Sequence, residues 1–161
     1  MSDSNKYHWV FRALVVDRAG ALTSIASAFS NEGINIGTVV GHGLEEPASV
    51  EGSVVLTFFC SKKKKDIMVR KIQRLSKVIS LEERPYDSHS LRKSVIMRTR
   101  QKLKPRDVAG ESTFLTCELV GSNNEGFIYF LAGSPSELDP VLKVLEEDGV
   151  VNDIVYSIVG L

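Results

Sequence analysis

Apolar residues run from Trp9 to Val16, interrupted only by Arg12. A strand over 8–16, apolar on both faces near its end, suits a central position beneath helices. Asp17-Arg18-Ala19-Gly20 breaks the run. Leu22, Ile25, Ala26 and Phe29 then recur at the spacing of one helical face, and Gly33 is placed to end that helix in a left-handed conformation. Residues 34–40 are β-branched and apolar, which predicts a second strand; Gly41, Gly43 and Pro47 mark a loop over 41–49. A third strand follows at 52–60, so strands two and three form a hairpin. Met68, Ile72 and Leu75 share a face of a helix over 62–77, and 78–81 begins a fourth strand. The order β-α-β-β-α-β is the split-βαβ, ferredoxin-like pattern. Right-handed crossovers give it a four-stranded antiparallel sheet with both helices on one face.

Charge and Pro85 mark 82–89 as a linker, which sets module bounds of 1–84 and 93–161 with 85–92 between them. The second stretch is a weaker copy. Residues 95–99 predict its first strand, but Pro105 and Gly110 oppose a regular helix over 101–112, so a loop or short irregular helix is expected there. Strands at 114–120 and 126–132 flank a Gly-Ser-Asn-Asn turn. Leu138, Val141, Leu142 and Leu145 line one face of a helix over 136–148, with Ser134 or Ser136 as cap and Gly149 as terminator. Residues 151–159 form a last strand. The class is α+β: two ferredoxin-like modules, the second degenerate.

Composition narrows the function. The 161 residues are 43% hydrophobic and 25% charged, with twenty basic and twenty acidic side chains. A neutral chain has no global field to gather nucleic acid or anionic lipid, so neither partner is expected. No apolar stretch approaches the ~20 residues of a membrane span. The short polar N-terminus does not read as a signal peptide, and the expected location is cytoplasmic. Cys60 and Cys117 lie in apolar runs and read as buried, reduced thiols, with no spacing that suits a metal. Lys62-Lys63-Lys64-Lys65 reads as a solvated edge. His8, His42 and His89 are scattered; of these only His42, in the hairpin loop, is placed to meet a ligand or metal, and exposure is the default there. Glu45 and Glu46 read as solvated. No nucleophile lies beside a base and no carboxylates pair convincingly, so no catalytic residue and no cofactor are expected.

The turn from first strand to first helix holds the candidate chemistry. The opening amides of a helix lack partners and, with the helix dipole, attract a carboxylate. Gly20 lets a ligand approach the backbone, and Asp17 can accept hydrogen bonds from an ammonium group. Asn35, at the start of the second strand, offers both donors and acceptors to the same turn. Such a set suits an α-amino acid. The same residues also serve as a helix cap (Asp17), a tight turn (Gly20) and a loop hydrogen-bonder (Asn35), so spacing alone leaves both readings open.

The run from Val15-Val16-Asp17-Arg18-Ala19-Gly20 to Ala21-Leu22-Thr23-Ser24-Ile25, followed by Gly33-Ile34-Asn35-Ile36, resembles the signature of ACT domains, which are amino-acid-binding regulatory modules. That likeness covers about residues 8 to 84. The whole chain resembles the small regulatory subunit of acetohydroxyacid synthase (acetolactate synthase) of branched-chain amino-acid biosynthesis. Leu131-Ala132-Gly133-Ser134, the helix from Glu137 to Glu147 and the closing Ile154-Val155-Tyr156-Ser157-Ile158-Val159-Gly160-Leu161 are similar to its C-terminal half. The resemblance implies a homodimer or higher homo-oligomer that binds valine or a related amino acid at the dimer interface and modulates a separate catalytic subunit. It assigns ligand binding to Asp17, Arg18, Ala19, Gly20, Ala21, Leu22, Asn35 and Ile36, with no catalytic or metal site. Asp17 stands where that family usually has asparagine. The alternative is a stand-alone ACT-repeat adaptor for protein or nucleic acid that takes no ligand.

Overall fold

The computed structural model describes residues 5–16, 18–43, 51–110 and 114–160; at Arg18 only the backbone is described. The chain divides into two compact units, Met1–Tyr86 and Asp87–Leu161. In the first, the elements are β1 (Tyr7–Val15), α1 (Arg18–Asn31), β2 (Ile36–His42), β3 (Gly52–Cys60), α2 (Lys62–Gln73) and β4 (Val78–Pro85). In the second they are β5 (Leu91–Thr99), α3 (Pro105–Ala109), β6 (Thr116–Asn123), β7 (Gly126–Gly133), α4 (Pro135–Glu147) and β8 (Val151–Gly160). The sheets have the orders β2-β3-β1-β4 and β6-β7-β5-β8, the same arrangement twice, and every pairing is antiparallel. The copies share a detail: the register slips between Leu14 and Val15 beside β4, and between Arg98 and Thr99 beside β8.

Alternation on β1 sends Phe11, Ala13 and Val15 into one apolar cluster with Ile25 and Phe29 of α1, Leu56 and Phe58 of β3, and Met68 and Ile72 of α2. Both helices therefore cover one face of the sheet. Phe11, Phe29 and Phe58 meet edge to face, with ring centroids 4.7 to 6.2 Å apart. Gly33 (φ 63°) ends α1: its N–H donates to Ser30 O at 3.0 Å, and Ile34 N–H donates to Phe29 O at 3.1 Å. That is the Schellman pattern, completed by burial of Ile34 and Phe29 in one cluster.

Several boundaries differ from the sequence expectations. The buried face of α1 is Ala21, Ile25 and Phe29, while Leu22 is 38% exposed. The helix over 62–77 stops at Gln73. Residues 82–85 are not linker but the end of β4, an edge strand whose charges face solvent and neighbouring strands, and Leu91 and Arg92 already belong to β5. The lysine run is divided. Lys62, Lys63 and Lys64 are exposed, but Lys65 is buried, ion-paired at 2.9 Å to Glu83 and 2.6 Å to Asp66, and 5.1 Å from the centre of the Trp9 ring. Burial opposes its charge, and the two carboxylates outweigh that, so the Lys65 pKa is raised. The short irregular helix expected in the second module is α3, with Pro105 at its start and Gly110 at its cap.

Candidate functional site

Val16 N–H donates to Lys77 O at 3.1 Å, which extends the β1–β4 pairing up to the turn before α1. That bond brings Lys77 beside the first residues of α1. A groove of about 630 Å³ opens there, lined by Ala19, Gly20, Thr23, Ser24, Ser27, Ala28, Asn31, Leu75 and Lys77. Gly20 is the point of closest approach: a β-carbon added to it would collide with Lys77 Nζ. Ser24 Oγ donates to Gly20 O at 2.9 Å. The first turn of α1 carries no acidic side chain. The positive end of the helix dipole and the Lys77 ammonium thus act on the same space, beside hydroxyls of Thr23 and Ser24, and that combination attracts a carboxylate.

The candidate residues separate. Ala19 and Gly20 line the groove. Ala21 is 1% exposed and belongs to the core, so its side chain is closed to a ligand. Leu22 points outward and does not line the groove. Asp17 and the side chain of Arg18 lie outside the described residues, as do Glu45 and Glu46. Asn35 is exposed and precedes β2 rather than opening it, and Ile36 packs against the core. Neither is near Gly20. Ile36 is level with Phe58, which is level with Trp9, whereas the turn follows Val15. Six residues of β1 separate those levels, roughly 20 Å at about 3.3 Å per residue. Within one module Asn35 therefore sits at the opposite end of the sheet from the turn, contrary to the expectation that it approaches it.

Lys77 was missed by local reading, although a signal existed. It immediately precedes β4, and antiparallel pairing of β4 with β1 brings its start to the end of β1. Thr23, Ser24 and Ser27 were likewise absent from the candidates; they are the polar positions of α1 that flank its buried face. The other end of the module has a different character. Lys71 is ion-paired with Glu32, whose carboxyl is held below its ordinary range by that contact. Burial pushes the Cys60 thiol up to about 11. Among the described residues no three His, Cys, Asp or Glu side chains gather as a metal site, and no helix is long and apolar enough to cross a membrane.

No protein-family model matches the chain. It is 24% identical over 151 residues to the acetolactate synthase small subunit of Mycolicibacterium smegmatis, which spans 93% of this chain and 87% of the relative. Its fold is similar to the crystal structure of the acetolactate synthase small subunit of Thermotoga maritima, with a TM-score of 0.69 at 17% identity and 96% of each chain covered. The likeness extends over both modules, and it places the chain among tandem ferredoxin-like folds.

Proposed function

We propose that this chain is a non-catalytic regulatory subunit that binds a small amino acid, valine or a relative, at a site shared by two copies and thereby tunes a separate catalytic chain. The observation that carries the reading is the groove where Lys77 meets the N-terminus of α1 at Gly20. Near-full-length similarity to an acetolactate synthase small subunit supports the regulatory role.

The register supports the sharing. β2 is an edge strand, and an unpaired edge invites a partner. Two copies joined through β2 by a two-fold axis run antiparallel, so the start of one β2 lies beside the end of the other. His42, at the end of β2, is level with Ser53 of β3 and so with Leu14, one residue short of the Val15 level. The partner's Asn35 is thereby brought to the turn that the protomer's own Asn35 cannot reach. Donors for the carboxylate come from α1 and Lys77, and the carboxamide of the partner's Asn35 accepts from the ammonium. Ligand binding then favours one dimer arrangement, and a bound catalytic chain responds to that shift.

Calorimetric titration with valine and related amino acids tests the site. Gly20→Leu displaces Lys77 and fills the groove mouth; it should abolish the binding heat while the helical position tolerates the new residue. Asn35→Ala alone should do the same. An equimolar mixture of the two variants, allowed to exchange subunits, should recover binding at about a quarter of the sites of wild type, because half of the dimers are mixed and each of those holds one intact pair. Recovery of nothing means the two residues do not share a ligand across a dimer. Normal binding by Gly20→Leu removes the turn from the site.

A further inference from the structure

In the first module α1 packs directly on α2, whereas in the second α3 packs chiefly on β6 and α4 lies on β5 and β7. The reason is in the sequence: Pro105 and Gly110 confine α3 to five residues, against fourteen in α1, and none of its side chains is fully buried, Val108 and Ala109 packing only partly against the core. A groove of about 660 Å³ remains between the 101–108 segment and α4. Its α4 wall is wholly apolar, formed by Pro140, Val141, Val144 and Leu145, and Leu103 and Val108 add apolar lining from the 101–108 segment. Val144 is 55% exposed. All polar lining comes from the opposite lip, where Lys102 and Lys104 stand against one acid, Asp107. Apolar lining without converging polar groups is a poor small-molecule site. It is the shape left when one of two packed helices is shortened.

We propose that this groove docks an amphipathic helix of the catalytic partner, apolar along one stripe and acidic along the flank that meets Lys102 and Lys104. The partner's helix completes the layer that α1 supplies in the first module. The proposal rests on the regulatory reading above, but it concerns a different surface and fails separately.

The test uses the full chain and the acetolactate synthase catalytic chain from the same source cells. Val144→Lys and the double variant Lys102→Glu with Lys104→Glu should each weaken the complex at least tenfold and leave valine titration unchanged, because all three positions belong to the second module. Val144 replaced by a photoreactive benzophenone amino acid should cross-link to the catalytic chain at an acidic amphipathic helix. Wild-type affinity in both groove variants, or no cross-link in a complex that forms, overturns the docking site and leaves the regulatory role intact. Cross-linking to a second copy of this chain also overturns it. Failure of the unmodified chain to bind the catalytic chain overturns the regulatory reading as well.

Discussion

The two modules share a strand order, a register slip beside the last strand and even the bond that closes the first strand, yet they treat the following turn in opposite ways. Val16 N–H donates to Lys77 O at 3.1 Å in one, and Arg100 N–H donates to Val150 O at 3.2 Å in the other. The equivalent position is a lysine in the first module and a valine in the second. After that bond the first chain enters a full helix whose N-terminus opens onto a groove. The second enters a loop that its own side chains secure: the Tyr129 hydroxyl accepts from Leu103 N–H at 2.7 Å and donates to Leu103 O at 2.8 Å, and Thr99 Oγ1 donates to Gln101 O at 2.8 Å. One framework thus carries two different turns. Where the helix is intact, its N-terminus and Lys77 border a groove; where it is truncated, the backbone groups of Leu103 and Gln101 are held by side chains and apolar surface lines the space beside α4.

The largest test of that contrast is on stability. Phe29 is fully buried within an aromatic cluster, so Phe29→Ala should cost about 3–5 kcal/mol in urea unfolding. Val108→Ala on α3, where no side chain is buried, should cost about 1 kcal/mol or less. Equal costs would mean that α3 carries as much of its core as α1 does. Next in size is Tyr129→Phe, which leaves the N–H and C=O of Leu103 without their partner. It should cost about 2–3 kcal/mol and accelerate hydrogen exchange over 101–104. An unchanged exchange pattern there would mean that the hydroxyl does not hold the loop.

Lys77→Val gives the first module the residue of the second. Valine affinity should fall about tenfold, or about 1.4 kcal/mol, with melting unchanged. Retained affinity would leave the helix N-terminus as sufficient and the lysine as incidental.

The contrast also explains what could be read from sequence. Both β-α-β-β-α-β orders were legible because apolar periodicity sets them, and the weakness of α3 was legible in Pro105 and Gly110. The end of β4 was not, because Glu82, Glu83 and Arg84 look like a linker until Arg12 is seen to pair with Glu82 and Lys65 with Glu83 on an edge strand. The face of α1 was misplaced by one residue because Ala21 is small and Leu22 is large, whereas packing chose the small one. Gly20 was singled out from local chemistry and Ala19 from the family resemblance, and both line the groove. Lys77 and the distance of Asn35 were not, since both follow from register: antiparallel β4 brings Lys77 in, and the return path along α1 carries Asn35 away.

The smallest effect concerns the two thiols, which separate the modules by burial. Cys60 is 3% exposed, and burial raises its pKa from 9.0 to about 11, outweighing the lowering by Lys64 and Lys65. Cys117 is half-buried, and its pKa is raised by burial and then by Glu118. Because the thiolate is the reactive form, both should react slowly with a disulfide reagent near neutral pH, Cys117 ahead of the more buried Cys60. Cys60 also has a signature in stability. Its folded pKa lies above its unfolded one, so the protonated thiol favours folding fully below pH 9, and that contribution is lost as pH rises from 9 towards 11. The stability difference between wild type and Cys60→Ala should therefore narrow over that interval. A difference that stays constant from pH 8 to about 11 would mean that the strand end is open to water when folded and that the first module is less tightly closed there than its burial implies.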